Sequence, residues 1–135
     1  MIYVGVLPPE TAHETAADFI AENSLAEDDV ILFAEEEDGI VGYTALTILA
    51  NEENSALPPM LCIKAARYNN ENTLEMLLRA AFSYGERRFA DEVRIDFSEP
   101  AGLLSRLGFR QIDGQLKSRI NNVVHMCRNC EDEDN

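Results

Sequence analysis

An α/β (α+β) fold, one mixed and mostly antiparallel sheet with helices on both faces, is what this chain predicts, on three observations. Two β-rich runs flank Asp38-Gly39, and Asp-Gly between such runs is the strongest short-range hairpin signal. An apolar run from Met60 to Ala65 leads within a few residues to Leu74, Leu77, Leu78, Ala81, Phe82 and Phe89. That three- and four-residue spacing is the stripe of an amphipathic helix. Beyond it lie an alternating run, a short Leu-rich segment and a last pair of strands. The order is β-α-β-β-β-α-β-α-β-β.

The elements follow one by one. Ile2-Tyr3-Val4-Gly5-Val6-Leu7 reads as an opening strand stopped by Pro8-Pro9. A single helix starting at Glu10 or Thr11 carries Ala12, Ala16, Phe19 and Ile20 at helical spacing and ends near Asn23-Ser24. Val30 to Ala34 and Ile40 to Leu49 form the hairpin arms, and Asn51 to Ser55 is a polar loop leading to Pro58-Pro59. Met60 to Ala65 is apolar enough for a central strand. Asn72-Thr73-Leu74-Glu75 has the pattern of a capping box, Asn72 as N-cap and Glu75 reaching back. Glu92 to Phe97 alternates as a strand should, and Pro100 suits the first turn of a helix carrying Leu103, Leu104 and Leu107. Gly108 ends that helix; Phe109 to Ile112 and Asn122 to Met126 read as a closing antiparallel pair around a loop with Gly114.

At 135 residues the chain suits one domain with a genuine core. We place that domain at residues 1–128, followed by an acidic disordered tail at 129–135. No apolar run approaches the ~20 residues that span a bilayer, and the N-terminus lacks a signal-peptide pattern. Three cysteines, an odd number, then suggest reduced thiols and a cytoplasmic location. Acidic residues number 25 against 11 basic, a net charge of -14. Such a surface repels nucleic acid and anionic membranes, so neither is expected as a partner.

Two local motifs, on this element order, resemble the GNAT-type N-acetyltransferase superfamily over nearly the whole chain. The family's hallmark after its fourth strand is Gln/Arg-x-x-Gly-x-Gly/Ala, and Arg67-Tyr68-Asn69-Asn70-Glu71-Asn72 falls in register with it, a degenerate form of that loop. Its second patch, a short helix ending in Leu-Gly-Phe, is matched by Leu107-Gly108-Phe109. The resemblance implies acetyl-CoA as co-substrate. Leu61, Cys62 and Ile63 would line its pantetheine arm, and the backbone of Arg67, Tyr68, Asn69, Asn70, Asn72 and Thr73 would cradle its phosphates, as N–H groups at a helix start can. The acceptor implied is a small-molecule or peptide amine, and the net charge favours a cationic one.

The departures from the pattern are as informative as the match. Both family glycines are Asn, at Asn70 and Asn72, and Glu71 and Glu75 add negative charge beside the anion site. The Tyr that commonly protonates the departing thiolate is replaced by Leu104. Ser98, Tyr43 and Tyr84 are substitutes for that acid, and Glu53, Asp96 and Glu99 for a base, with nothing in the spacing to select one. The catalytic residues are therefore left unassigned. A catalytically silent GNAT-like interaction or regulatory module, paired as a homodimer through its sheet, is the alternative function. Binding of some other acyl-carrier or nucleotide ligand in the same cleft is a third. Cys127-Arg128-Asn129-Cys130, preceded by His125, lacks the second pair that a zinc site needs, and no metal is expected.

Overall fold

The hairpin around Glu37-Asp38 is the centre from which the sheet is laid out. The computed structural model describes residues 2–50 and 56–120. Within them run β1 (Tyr3–Val6), α1 (Pro9–Thr15), α2 (Ala17–Glu22), β2 (Val30–Glu36), β3 (Gly39–Leu49) and β4 (Met60–Tyr68). They are followed by α3 (Glu71–Arg87), β5 (Glu92–Ile95), α4 (Ala101–Arg106), β6 (Arg110–Ile112) and β7 (Gln115–Arg119). All seven strands form one sheet in the order β1-β2-β3-β4-β5-β7-β6, and only β4 and β5 run parallel. The expected mixed, mostly antiparallel sheet is what forms. Residues 121–135, which hold the expected strand Asn122–Met126, His125, Cys127, Cys130 and the acidic tail, lie outside the described residues.

Alternation along the strands separates two apolar layers. Leu32, Leu46, Leu61, Ile63, Val93 and Ile95 face one way, against Leu74, Leu77, Leu78 and Phe82 of α3 and Leu103, Leu104 and Phe109 around α4. Phe82 and Phe109 meet edge to face at 5.8 Å. Ile31, Tyr43, Ala45 and Ala65 face the other way, against Ala12, Ala16 and Phe19 of α1 and α2. Each fully buried Leu or Phe contributes roughly 1.5–3 kcal/mol of transfer free energy, so the α3 layer dominates stability. Both faces therefore carry helices, as expected.

Three sequence expectations need correction. The first helical segment is two helices, broken at Ala16 (φ −117°, ψ 29°). Tyr43 donates its hydroxyl to the Thr15 carbonyl at 3.0 Å, which diverts that acceptor from the helical ladder. Among the described residues the strand that pairs with β6 across the Asp113-Gly114 turn is β7, Gln115–Arg119, a segment the sequence pattern assigns to the loop. Both turn residues have positive φ, 53° and 80°, which is the geometry of a two-residue hairpin. Finally, α3 stops at Arg87, and Phe89 leaves the apolar stripe: it sits at φ 67° and is 83% exposed.

Two irregularities shape the middle of the sheet. Ala45 pairs with Ala65 but Leu46 with Ile63, so Lys64 is an extra residue bulged out of β4. The Thr44 hydroxyl donates to the Ala65 carbonyl at 2.8 Å, satisfying an acceptor next to the bulge. Gly42, where β3 crosses the end of β4, has no room for a side chain: a Cβ would lie 2.7 Å from the Arg67 carbonyl oxygen.

Candidate functional site

Parallel pairing between β4 and β5 lasts four rungs, Met60–Glu92 to Ile63–Ile95. One further bond, from the Asp96 N–H to the Ile63 carbonyl at 2.9 Å, closes it. From Lys64 to Tyr68 β4 continues against β3 alone, so its alternate N–H and C=O groups toward β5 have no ladder partner among the described residues. The sheet opens into a V, with the Lys64 bulge at its apex and the start of α3 at its mouth.

The structure thus places Leu61, Cys62 and Ile63 below the V. Each is paired on both sides, with Ile48 and Val93, Thr47 and Arg94, Leu46 and Ile95. Leu61 and Ile63 are wholly buried under α3. Open backbone begins one residue later, at Lys64.

At the mouth, α3 begins two residues earlier than its capping-box pattern implies. Asn70, not Asn72, is the N-cap: its Oδ1 accepts the Thr73 N–H at 3.0 Å. The Thr73 hydroxyl, fully buried, donates to Asn69 Oδ1 at 2.6 Å and lies 3.3 Å from Asn70 Oδ1. An Asn cap beats the box because its short amide reaches the third amide directly. One of the first-turn donors is consequently used internally. The N–H groups of Glu71 and Asn72 have no acceptor among the described residues. Asn70 is in extended conformation, φ −158°, and no residue from 67 to 73 has positive φ. Asn at positions 70 and 72 therefore costs no backbone strain here; it costs only side-chain room.

Charges around the mouth are distributed differently from the sequence expectation. Arg67, in register with Tyr43 on the α1–α2 face, is ion-paired with Glu22, and its guanidinium lies 5.8 Å from the Phe19 ring centre. It is turned away from α3. Glu75 is neutralised by Arg79 at 3.0 Å and Arg106 at 3.4 Å. Glu71 remains as the exposed carboxylate on the first turn.

Around the apex, Lys64 reaches back to Asp29, 2.7 Å from Oδ1, while Asp29 also accepts the Ala26 N–H at 2.7 Å. That carboxylate is 1% exposed, and the hydrogen bond to it holds the Lys64 ammonium above its usual range. Cys62 Sγ lies 2.9 Å from an Arg94 nitrogen and 4.0 Å from Asp96. Burial, and next the Asp96 charge, push its thiol up, with Arg94 pulling the other way. Tyr43 stacks on Phe19 at 5.4 Å, and burial raises its hydroxyl against the pull of Arg67.

The candidate acids and bases are scattered. Tyr43, Arg67, Phe19, Glu14, Thr15 and Asp18 line a hollow of about 270 Å³ at the α1–α2 joint. Asp96 and Ser98 lie past the end of β5 and share a different hollow. Glu99 accepts the Ala101 N–H at 3.3 Å, a capping role. Tyr84 is on the last turns of α3 beneath Arg88, 3.5 Å from its ring centre, some 20 Å along the helix from Asn70 by the rise of an α-helix. Leu104 is packed in the core, 2% exposed. Glu53 lies outside the described residues. Sequence reasoning missed Asp29, whose only signal was its place just before an apolar strand.

No family model matches the sequence, and no curated protein matches it. Solved structures do. The chain is similar to an aminoglycoside acetyltransferase from an uncultured soil metagenomic sample (TM-score 0.62, 19% identity, 83% of this chain and 93% of that one). It is similar to a Trypanosoma brucei acetyltransferase (TM-score 0.61, 16% identity, 83% and 94%). A GNAT-family acetyltransferase from Streptococcus pneumoniae matches at TM-score 0.56 and 11% identity, over 88% and 96%. The chain has the GNAT acetyltransferase fold. Among the described residues no helix is long and apolar enough to cross a membrane, and no group of metal-ligating side chains is found.

Proposed function

We propose that the chain is an acyl-CoA-dependent N-acyltransferase that transfers an acetyl group to a cationic amine. The V between β4 and β5, opening directly onto the start of α3, is the observation that carries this reading. The free β4 edge from Lys64 to Tyr68 offers backbone groups at the spacing of a strand, which suits an amide-bearing pantetheine arm. The unpaired N–H groups of Glu71 and Asn72 suit a diphosphate, aided by the helix dipole. An N–H at the Lys64 bulge polarises the thioester carbonyl. The amine attacks its carbon in the neutral form, the C–S bond breaks, and the proton released by the nitrogen passes through solvent to the departing thiolate. Positioning and polarisation supply most of the acceleration, so an enzyme with Leu104 in place of an acid is slow but not silent.

Glu14 and Asp18, at the hollow beside Tyr43, support a cationic acceptor. The acetyltransferase neighbours support the donor class.

Thermal unfolding with acetyl-CoA tests this. At ~100 times Kd a ligand bound only to the folded state adds about 2.7 kcal/mol, on the order of 10 °C for a chain this size. No shift with acetyl-, propionyl- or free CoA would refute the reading and leave a fold without its donor.

A further inference from the structure

We propose that the face of the β5–β7–β6 end of the sheet turned away from α3 and α4 binds a phosphate-bearing polyanion, at a site separate from the V. Residues directly opposite in a ladder share a face, with Cβ atoms about 5 Å apart. Lys117 lies opposite Arg94 on one side and opposite Arg110 on the other. Three cations thus stand in one row across three strands, and Arg119, two residues along β7, extends the group. Like charges placed directly opposite destabilise a sheet. Here they gather in a chain whose net charge is -14, with 11 basic residues in all.

Local carboxylates compensate only part of the row. Asp96 is 3.3 Å from Arg94, Glu92 is 3.8 Å from Lys117, and Asp91 is 3.4 Å from Arg119. Arg110 has no ion-pair partner among the described residues. A hollow of about 420 Å³ opens at the row, walled by Arg110, Lys117, Arg119, Ile112 and Glu92. It adjoins a second hollow that shares Glu92 and Lys117 and is floored by Leu49, Pro59 and Met60. Among the described residues no helix packs on this face: α1 and α2 pack on Ile31, Tyr43, Ala45 and Ala65, while α3 and α4 lie on the opposite side.

Several parallel donors on a concave, partly apolar floor suit a phosphate group carrying more than one charge. A diphosphate spanning Lys117 and Arg110 competes with Glu92, 3.8 Å from Lys117, for that ammonium. The site does not depend on the acyltransferase reading, since the V and the start of α3 take no part.

Inorganic pyrophosphate, titrated into the full chain and followed by amide NMR, is the test. Saturable shifts at residues 92–94, 110–112 and 115–119, weakening as salt rises, are expected. Inorganic phosphate should bind more weakly at the same amides, and chloride should not saturate them. Arg110→Gln with Lys117→Gln should weaken binding on the order of tenfold or more. The same pair should leave the melting temperature equal or higher, because it removes facing like charges. Shifts confined to residues 69–73 would overturn the proposal, as would a double variant that binds normally or one that melts lower with no change in binding.

Discussion

At Asn70 one side-chain amide decides between a self-contained helix start and an anion site. Its Oδ1 holds the Thr73 N–H, so Asn70→Ala should cost about 1 kcal/mol while Asn70→Gly costs a few tenths. If the V binds acetyl-CoA, the Gly variant also clears the mouth and should tighten binding several-fold, measured by calorimetry. Lys64 and Asp29 give a second test. Asp29 is buried and Lys64 is its only cationic partner among the described residues, so Lys64→Met should cost roughly 2 kcal/mol in urea unfolding. The lysine pKa is raised in the folded chain. Its contribution is therefore fully present below the unfolded value near ~10.4 and lost as pH climbs through the folded one. Wild-type stability should fall more steeply above about pH 10 than that of Lys64→Met.

The elements show what could be read from sequence and what could not. The Asp38-Gly39 hairpin, the central strand from Met60 and the α3 stripe were legible because apolar pattern and turn chemistry agree there. The β6–β7 turn was equally explicit in Asp113-Gly114, but Gln115-Leu116-Lys117-Ser118-Arg119 is too polar to announce a strand. It forms one because Ser118 can bond the Leu107 carbonyl at 3.0 Å while Leu116 packs inward. The break at Ala16 was illegible, since Tyr43, which takes the Thr15 carbonyl, lies 28 residues from Thr15. At the site, the motif gave the start of α3 two residues late, with Asn72 for Asn70 as N-cap, and did not give the side to which Arg67 turns. That depends on which face of β4 the Lys64 bulge leaves it on. The C-terminal end of α3 yields a prediction of its own. Phe89 holds a left-handed conformation that glycine adopts freely and has little surface to lose. Phe89→Gly should raise stability by about 1 kcal/mol, read as a higher urea midpoint with unchanged slope.

On the scale of the molecule, a net charge of -14 on a chain this small opposes compaction. Stability should rise as ionic strength goes from about 0.01 M to 0.15 M and the Debye length shortens from ~30 Å to ~8 Å. A melting temperature indifferent to salt over that range would mean that paired charges, not net charge, set the balance. The four rungs between β4 and β5 have one more implication. Among the described residues they and the Asp96–Ile63 bond are the backbone seam between the meander of β1 to β4 and the strands that end the sheet. In deuterium exchange, β5 and β7 amides should therefore label well before those of β2 and β3, as one cooperative unit peeling from the remainder.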